Sequence, residues 1–275
     1  MTDAIMTWEQ AVAWLRNQPG QAELVRACFF DDPLLAAAQR FRASSEWVAT
    51  RALLPSPPGR ALDMGAGRGI ASYALAADGW QATALEPDPS ELVGSGAIRA
   101  LASESGKLIE VVEQWGETLP FADATFDVVL CRQVLHHARD LRQLCAEIGR
   151  VLKPGGVMLA TREHVISRRE DLPAFLASHP LHKFYGGENA YLLAEYHEAI
   201  TRAGLVLEQS LNPLQSEINL FPMTLDDHRK LLAQRLRLPA VLVRPWLMAW
   251  YGDRLSDPGR LYTFRARKPT ASLLA

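Results

Sequence analysis

Ala61-Leu62-Asp63-Met64-Gly65-Ala66-Gly67-Arg68-Gly69-Ile70 is the stretch on which the reading of this chain turns. Its first four residues form a short apolar run holding one acid, the pattern of a buried strand. Glycines at alternate positions follow, and an apolar helical stretch begins behind them. Glycine adopts left-handed backbone angles without strain and lets the main chain approach a ligand closely. The start of the helix offers unpaired N–H groups to an anion. Glu86 closes the next apolar run, 23 residues after Asp63. An acid so placed suits hydrogen bonds from ribose hydroxyls.

Outward from this point the chain alternates. Apolar runs at 61–64, 82–86, 108–112, 126–131 and 157–161 predict strands, and 70–78, 90–104 and 139–152 predict helices between them. Such alternation implies βαβ units and a parallel sheet, an α/β fold. In 139–152, Leu141, Leu144, Cys145, Ile148 and Leu152 form one apolar stripe, and Lys153-Pro154-Gly155-Gly156 stops the helix. A helix near 188–203 leads into strands at 205–209 and 262–267. Upstream, Leu54-Pro55-Ser56-Pro57-Pro58-Gly59 is a strong breaker. It divides a helical N-terminal cap, 1–55, from a domain over 56–275. The stretches 164–187 and 212–258 are longer than ordinary connections and read as insertions that shape a site.

Composition removes several classes. With 275 residues, 48% hydrophobic and 22% charged, the chain is globular rather than disordered. A net charge of −2 gives no overall basic footprint for nucleic acid. Cys28, Cys131 and Cys145 lack CxxC spacing, which argues against a disulfide framework and a zinc site. The first residues carry acids where a signal peptide has a basic region, and no apolar run approaches the roughly 18 residues of a membrane span. A soluble cytoplasmic protein is the expectation. The charge is unevenly spread: residues 1–160 hold 14 Lys/Arg against 19 Asp/Glu, and 211–275 hold 10 against 5.

Two cofactor classes use a glycine turn followed by an acid. Dinucleotide-dependent oxidoreductases carry GxGxxG, whereas here the third glycine is Gly69 and residue 70 is Ile. The GxGxG spacing, with Asp63 two residues ahead, resembles motif I of the class I S-adenosylmethionine-dependent methyltransferases. Further matches follow in order: Glu86, Leu119-Pro120-Phe121, Phe126-Asp127-Val128-Val129, Val134-Leu135-His136-His137, and Val151-Leu152-Lys153-Pro154-Gly155-Gly156. Together they resemble the branch that includes the ubiquinone- and menaquinone-biosynthesis methyltransferases. The resemblance covers roughly residues 45–210, with 261–267 fitting the reversed edge strand. It implies a Rossmann-like, seven-stranded, mostly parallel sheet with flanking helices and S-adenosyl-L-methionine as cofactor.

The resemblance also implies residue roles. Asp63 orients the loop and the cofactor amino group; Gly65, Ala66 and Gly67 line the cofactor; Glu86 holds its ribose. Arg132 and Gln133 fall near its methionine part. Relatives usually carry Asp where this chain has Trp115, within Gln114-Trp115-Gly116-Glu117. Trp115 could stack on adenine or face the sulfonium, where its ring favours a cation, and Glu117 could supply the missing acceptor.

His136 and His137 follow the fourth strand, where the crevice of such a sheet opens. Either could act as a general base or simply pack a helix start. Arg162-Glu163-His164 is placed past the fifth strand, as an acceptor-binding cluster or a solvated loop. Candidate catalytic residues are therefore His136, His137, Glu163 and His164. His179, His182, Tyr185, Glu188 and Asn189 fall close together and read as a substrate-lining loop rather than a metal site; no metal is expected. In 212–258, Arg235, Arg237, Arg244 and Arg254 interleave with apolar residues. That pattern reads as a lid on the acceptor, or as a surface for an anionic or membrane-associated one. The expected activity is in-line methyl transfer to a small organic acceptor, anionic or apolar, with no nucleic-acid partner. A non-catalytic cofactor-binding regulator or assembly protein, a nucleotide-dependent oxidoreductase and an RNA methyltransferase are the alternatives. Acceptor identity, the atom methylated and the oligomeric state are not legible.

Overall fold

The computed structural model describes residues 6–179 and 181–270. Four helices come first: α1 (Trp8–Arg16), α2 (Ala22–Ala27), α3 (Leu34–Ala43) and α4 (Ser45–Leu53). Alternation then begins with β1 (Arg60–Met64), α5 (Ile70–Ala77), β2 (Gln81–Leu85), α6 (Ser95–Ser105), β3 (Ile109–Val112) and β4 (Phe126–Arg132). It continues through a short 3₁₀ turn at Leu135–His137, α7 (Leu141–Val151) and β5 (Leu152–Ile166). Next come α8 (Leu172–Ser178), α9 (His182–Tyr185), β6 (Tyr191–Leu192), α10 (Leu193–Arg202) and β7 (Val206–Leu211). The last elements are α11 (Glu217–Leu220), α12 (Leu225–Leu236), α13 (Pro245–Gly252) and β8 (Arg260–Arg267).

The sheet runs β3-β2-β1-β4-β5-β8-β7, with the two-residue β6 pairing beside β5. β1, β2, β3, β4 and β5 are parallel, and β8 is antiparallel to both its neighbours. This is the mostly parallel, roughly seven-stranded architecture expected. Strand order reverses between β1 and β4, and a crevice opens there beyond the carboxyl ends of the strands. The turn after β1 and the turn after β4 therefore face one another across it.

Local sequence explains the elements. In α7 the apolar stripe is buried, and the Asp140 carboxylate accepts from the Arg142 and Gln143 amides at 3.0 Å each. The helix ends one residue earlier than its stripe suggests, and Leu152 begins β5. α6 and α10 also start later than the periodicity alone predicts, because a turn occupies the residues ahead of α6 and the strand β6 those ahead of α10.

β5 departs most from expectation. It is much longer than 157–161 and contains Arg162, Glu163 and His164, which are not in a loop past the strand. Its register against β8 shifts between Ala160 and Glu163, and Arg162 has φ 60°. Such a bulge bends a strand and re-aims its side chains. The Arg162 guanidinium donates to the Ile218 carbonyl at 2.7 Å, while the Glu163 carboxylate accepts from the Val134 amide behind β4 at 3.1 Å.

The N-terminal helices pack in two ways. Phe29, Phe41 and Trp47 share a core with Ala61, Ile70, Val128 and Val157, so α3 and α4 belong to the layer covering the sheet. α1 and α2 instead cluster with Val93 and Leu181, and the Met6 amide donates to the Phe184 carbonyl at 2.8 Å. This second group joins the N-terminus to the 164–187 insertion. The 212–258 insertion folds on a separate cluster of Leu214, Leu220, Leu232, Ala233, Val243 and Met248. No helix among the described residues is long and apolar enough to cross a membrane.

Candidate active site

The turn after β1 is built for a ligand. Gly65 and Gly67 have φ 62° and 54°. A Cβ on Gly65 would lie 2.7 Å from a Val134 methyl, so only glycine fits between the two facing turns. A Cβ on Gly67 meets nothing nearer than the Val93 carbonyl at 3.9 Å, which leaves the main chain open to the cleft. Arg68 points the other way. Its buried guanidinium donates to the Phe29 and Asp31 carbonyls at 3.0 Å each and to Asp32 at 2.6 Å, fixing the N-terminal segment to the glycine turn.

Two buried acids brace the turn. Asp63 accepts from the Ser72 hydroxyl at 2.5 Å, and burial pushes its carboxyl up to about 6. Glu86 accepts from the Gly67 amide at 2.7 Å and from the Asp88 amide at 3.0 Å. Burial pushes it up to about 7, against the pull of those two amides. Its carboxylate lines the cleft beside the glycines.

The cleft has a volume of about 600 Å³. Asp63, Gly65, Ala66, Gly67, Glu86, Trp115, Gly116, Glu117, Arg132 and Gln133 all line it, and so do His136, His137 and His164. The structure thus brings together every catalytic and cofactor-binding candidate except Glu163, which is fully buried behind His136; of the 179–189 group, His182 and Asn189 do not line the cleft. Trp115 is largely exposed, with the Arg139 guanidinium 5.3 Å from its ring centre. Gly116 has no room for a side chain, since a Cβ would lie 2.6 Å from Leu144. Glu117 accepts from the Arg139 amide at 3.1 Å. Arg132 is held by Glu46 of α4 at 2.6 Å and lies over the Phe41 ring at 5.3 Å.

The histidines meet at the same cleft. His136 Nδ1 is 2.7 Å from Glu163, whose two oxygens also accept the Val134 and His136 amides. Burial holds the His136 imidazole well below its usual range, with His137 and His164 adding to the effect. Burial likewise pushes Glu163 up to about 7. His137 Nδ1 lies 2.8 Å from the Gly187 carbonyl, and His164 Nδ1 lies 2.8 Å from the Gly259 carbonyl. His179, from the 164–187 insertion, and Glu188, the residue just after it, complete this wall. No residue of 212–258 is among the described residues lining the cleft. That insertion buries Leu214, Leu220, Leu232, Ala233, Val243 and Met248 in its own cluster, while Leu236, Leu238, Val241, Leu242, Trp246 and Trp250 are exposed.

Two positioning residues have no signal in the sequence. Glu46 lies in a stretch with no motif, and Arg68, although inside the glycine motif, binds Phe29, Asp31 and Asp32 far back in the chain. Glu188 is a sequence candidate, but nothing local links it to His136, 52 residues earlier.

Residues 62–160 match the methyltransferase domain family. An uncharacterized methyltransferase of Mycobacterium marinum is 38% identical over 141 residues, 51% of this chain and 50% of that protein. A ubiquinone biosynthesis O-methyltransferase of Rhizobium johnstonii is 29% identical over 184 residues, 64% of this chain and 73% of that protein. Among solved structures, the [4+2]-cyclase SpnF aligns with a TM-score of 0.56 and 24% identity, over 88% of this chain and 85% of that one. That last likeness is one of fold. The chain spans about half the length of the M. marinum relative. With the fold and the glycine turn, these findings show that residues 62–160 are similar to the methyltransferase domain of S-adenosylmethionine-dependent methyltransferases, a class whose cofactor is S-adenosyl-L-methionine.

Proposed function

We propose that this protein transfers the methyl group of S-adenosylmethionine to a small organic acceptor held in the same cleft. The observation that carries this is the joining of two unlike walls in one cavity of about 600 Å³. One wall holds the glycine turn and Glu86; the other holds His136, His137 and His164. The residues present suit the cofactor. Open backbone at Gly67 and the cleft-facing Glu86 carboxylate are complementary to a ligand with ribose hydroxyls and a charged amino-acid end. Gly65, Ala66 and Gly67 would line the cofactor, Asp63 would orient the loop, and Glu86 would hold the ribose. Trp115, Gly116 and Glu117 would flank adenine, and Arg132 and Gln133 would stand near the methionine part.

Bound S-adenosylmethionine supplies an electrophilic methyl group. The chain supplies alignment and exclusion of water, and positioning alone contributes on the order of 7–11 kcal/mol to such barriers. α1, α2 and the 164–187 insertion would form the cover, while 1–55 and 56–275 act as cap and cofactor-binding domain. His136, His137 and His164 are the candidates to contact the acceptor. Glu163 would act only through His136, as a positioning residue. A cofactor-binding protein that transfers nothing is the second reading, and Trp115 at the usual Asp position is what favours it.

Calorimetric titration with S-adenosylhomocysteine and, separately, NAD⁺ tests the reading. Saturable binding of the first and none of the second is expected. Binding of NAD⁺ alone would replace the proposal with an oxidoreductase.

A further inference from the structure

The wall of histidines has a feature that methyl transfer alone does not require. One ligand atom each from His136, His164 and Glu188 lie within 4.8 Å of one another. They arrive from separate places: the turn after β4, the part of β5 just past its bulge and the loop after α9. His136 and Glu188 are more than nine-tenths buried, and all three residues line the cleft.

Hydrogen bonding fixes what these atoms present. The Gly259 carbonyl can only accept, so His164 Nδ1 carries its proton and Nε2 is left as a lone pair. Glu163 already accepts two backbone amides, and the His136 tautomer is assigned the same way, with Nδ1–H donating to that carboxylate. Tyr185 donates to Oε1 of Glu188, whereas Oε2 has no hydrogen-bond partner among the described residues. Two imidazole lone pairs and a carboxylate oxygen are therefore free on three residues whose ligand atoms converge within 4.8 Å, two of them buried and His164 partly so. The separation of His136 Nε2 from Glu188 Oε2 is 3.6 Å, too long for a shared proton. Acceptors gathered this way without a donor are costly.

A cation removes that cost. Two donors on a tetrahedral ion with bonds near 2.1 Å sit about 3.4 Å apart, close to the observed 3.6 Å. Histidine ligands backed by a carboxylate or a carbonyl at the other ring nitrogen are the usual support of such an ion. Glu163 and the Gly259 carbonyl already occupy those positions. A set of two imidazoles and one carboxylate suits zinc and its late first-row neighbours, and suits magnesium or calcium poorly.

We propose that His136, His164 and Glu188 form a binding site for a divalent transition-metal ion of the zinc class, with its open coordination position toward the cleft. On this reading His136 and His164 hold a cation rather than move a proton, and the expectation of no metal is replaced. One consequence rests on the methyltransferase reading above: the acceptor would present an oxygen able to coordinate the ion, as a hydroxyl or carboxylate does.

The test uses full-length protein stripped with a chelator and titrated with Co²⁺, followed by visible absorption and by metal analysis after Zn²⁺ exchange. One equivalent should bind, and excess Mg²⁺ should not displace it. The isosteric Glu188→Gln and the variant His164→Gln should each weaken Co²⁺ binding at least 100-fold. Circular dichroism and S-adenosylhomocysteine affinity serve as checks on their folding. Stoichiometric Co²⁺ or Zn²⁺ binding lost in both variants supports the site. Failure of the parent protein to bind either ion, or unchanged binding in both variants, overturns it. Metal binding without any affinity for S-adenosylhomocysteine would leave the site standing and overturn the methyltransferase reading instead.

Discussion

Two cavities among the described residues are of nearly equal volume, about 600 and 630 Å³. The first lies at the strand-order reversal of the sheet and gathers side chains from the N-terminal helices, both facing turns, β5 and the 164–187 insertion. The second lies within the 212–258 insertion and its junction with β7, lined largely by apolar residues such as Leu211, Leu214, Val243, Trp246 and Met248. Size does not separate them. What does is the convergence of groups from distant parts of the chain. The first cavity holds buried acids braced by backbone amides and histidines with assigned tautomers. The second is what remains where a few short helices meet an edge of the sheet. Exposed Trp246, Trp250, Val241 and Leu242 accompany it, with no comparable set of buried titratable groups in its lining.

Several substitutions should break or sharpen this contrast. The largest effect is expected from Gly67→Arg. It fills the open backbone of the first cavity and should lower S-adenosylhomocysteine affinity by more than 1,000-fold in calorimetry, with a modest fall in melting temperature because φ 54° strains any residue but glycine. Next is Glu86→Gln, which keeps shape but loses charge. Hydrogen bonds to a charged group contribute about 1.5–3 kcal/mol, so a 10- to 100-fold loss of affinity is expected.

A smaller effect follows from pH. Burial raises the Glu86 carboxyl from 4.5 to about 7, and ribose hydroxyls bind its ionised form better. Affinity for S-adenosylhomocysteine should therefore be about tenfold weaker at pH 6 than at pH 8. The same shift has the opposite sign for the free protein. A carboxyl raised on folding contributes stability that is present below 4.5 and is lost as pH rises through about 7. The smallest effect belongs to the second region. Replacing Arg235, Arg237 and Arg244 together by Gln should leave S-adenosylhomocysteine affinity within twofold of the parent value. A large loss would bring the insertion back over the cleft.

Much of the first region was legible in the sequence because its signals are local. Glycine spacing, an acid after the second strand and a strand–helix period each act over a few residues, and Gly65, Gly67 and Glu86 stand where those patterns put them. Less could be read where contacts are long-range. The bulge at Arg162, and the pairing of Glu163 and His164 just past it, depend on β8, about a hundred residues later. The Glu46–Arg132 pair joins α4 to the end of β4. The meeting of His136 and Glu188 depends on how the 164–187 insertion docks on α1 and α2. What the 212–258 stretch packs against was not legible for a related reason. Alternating basic and apolar residues define an amphipathic surface but not the neighbour it covers.

The central claim is that the cofactor lies on the glycine turn with its sulfur facing the histidine wall of the same cleft. A crystal structure of the protein with S-adenosylhomocysteine tests this most directly. The ribose hydroxyls should lie within hydrogen-bond distance of Glu86, with the sulfur turned toward His136 and His164. Density for the ligand in the insertion cavity, or a sulfur facing away from those histidines, would contradict it.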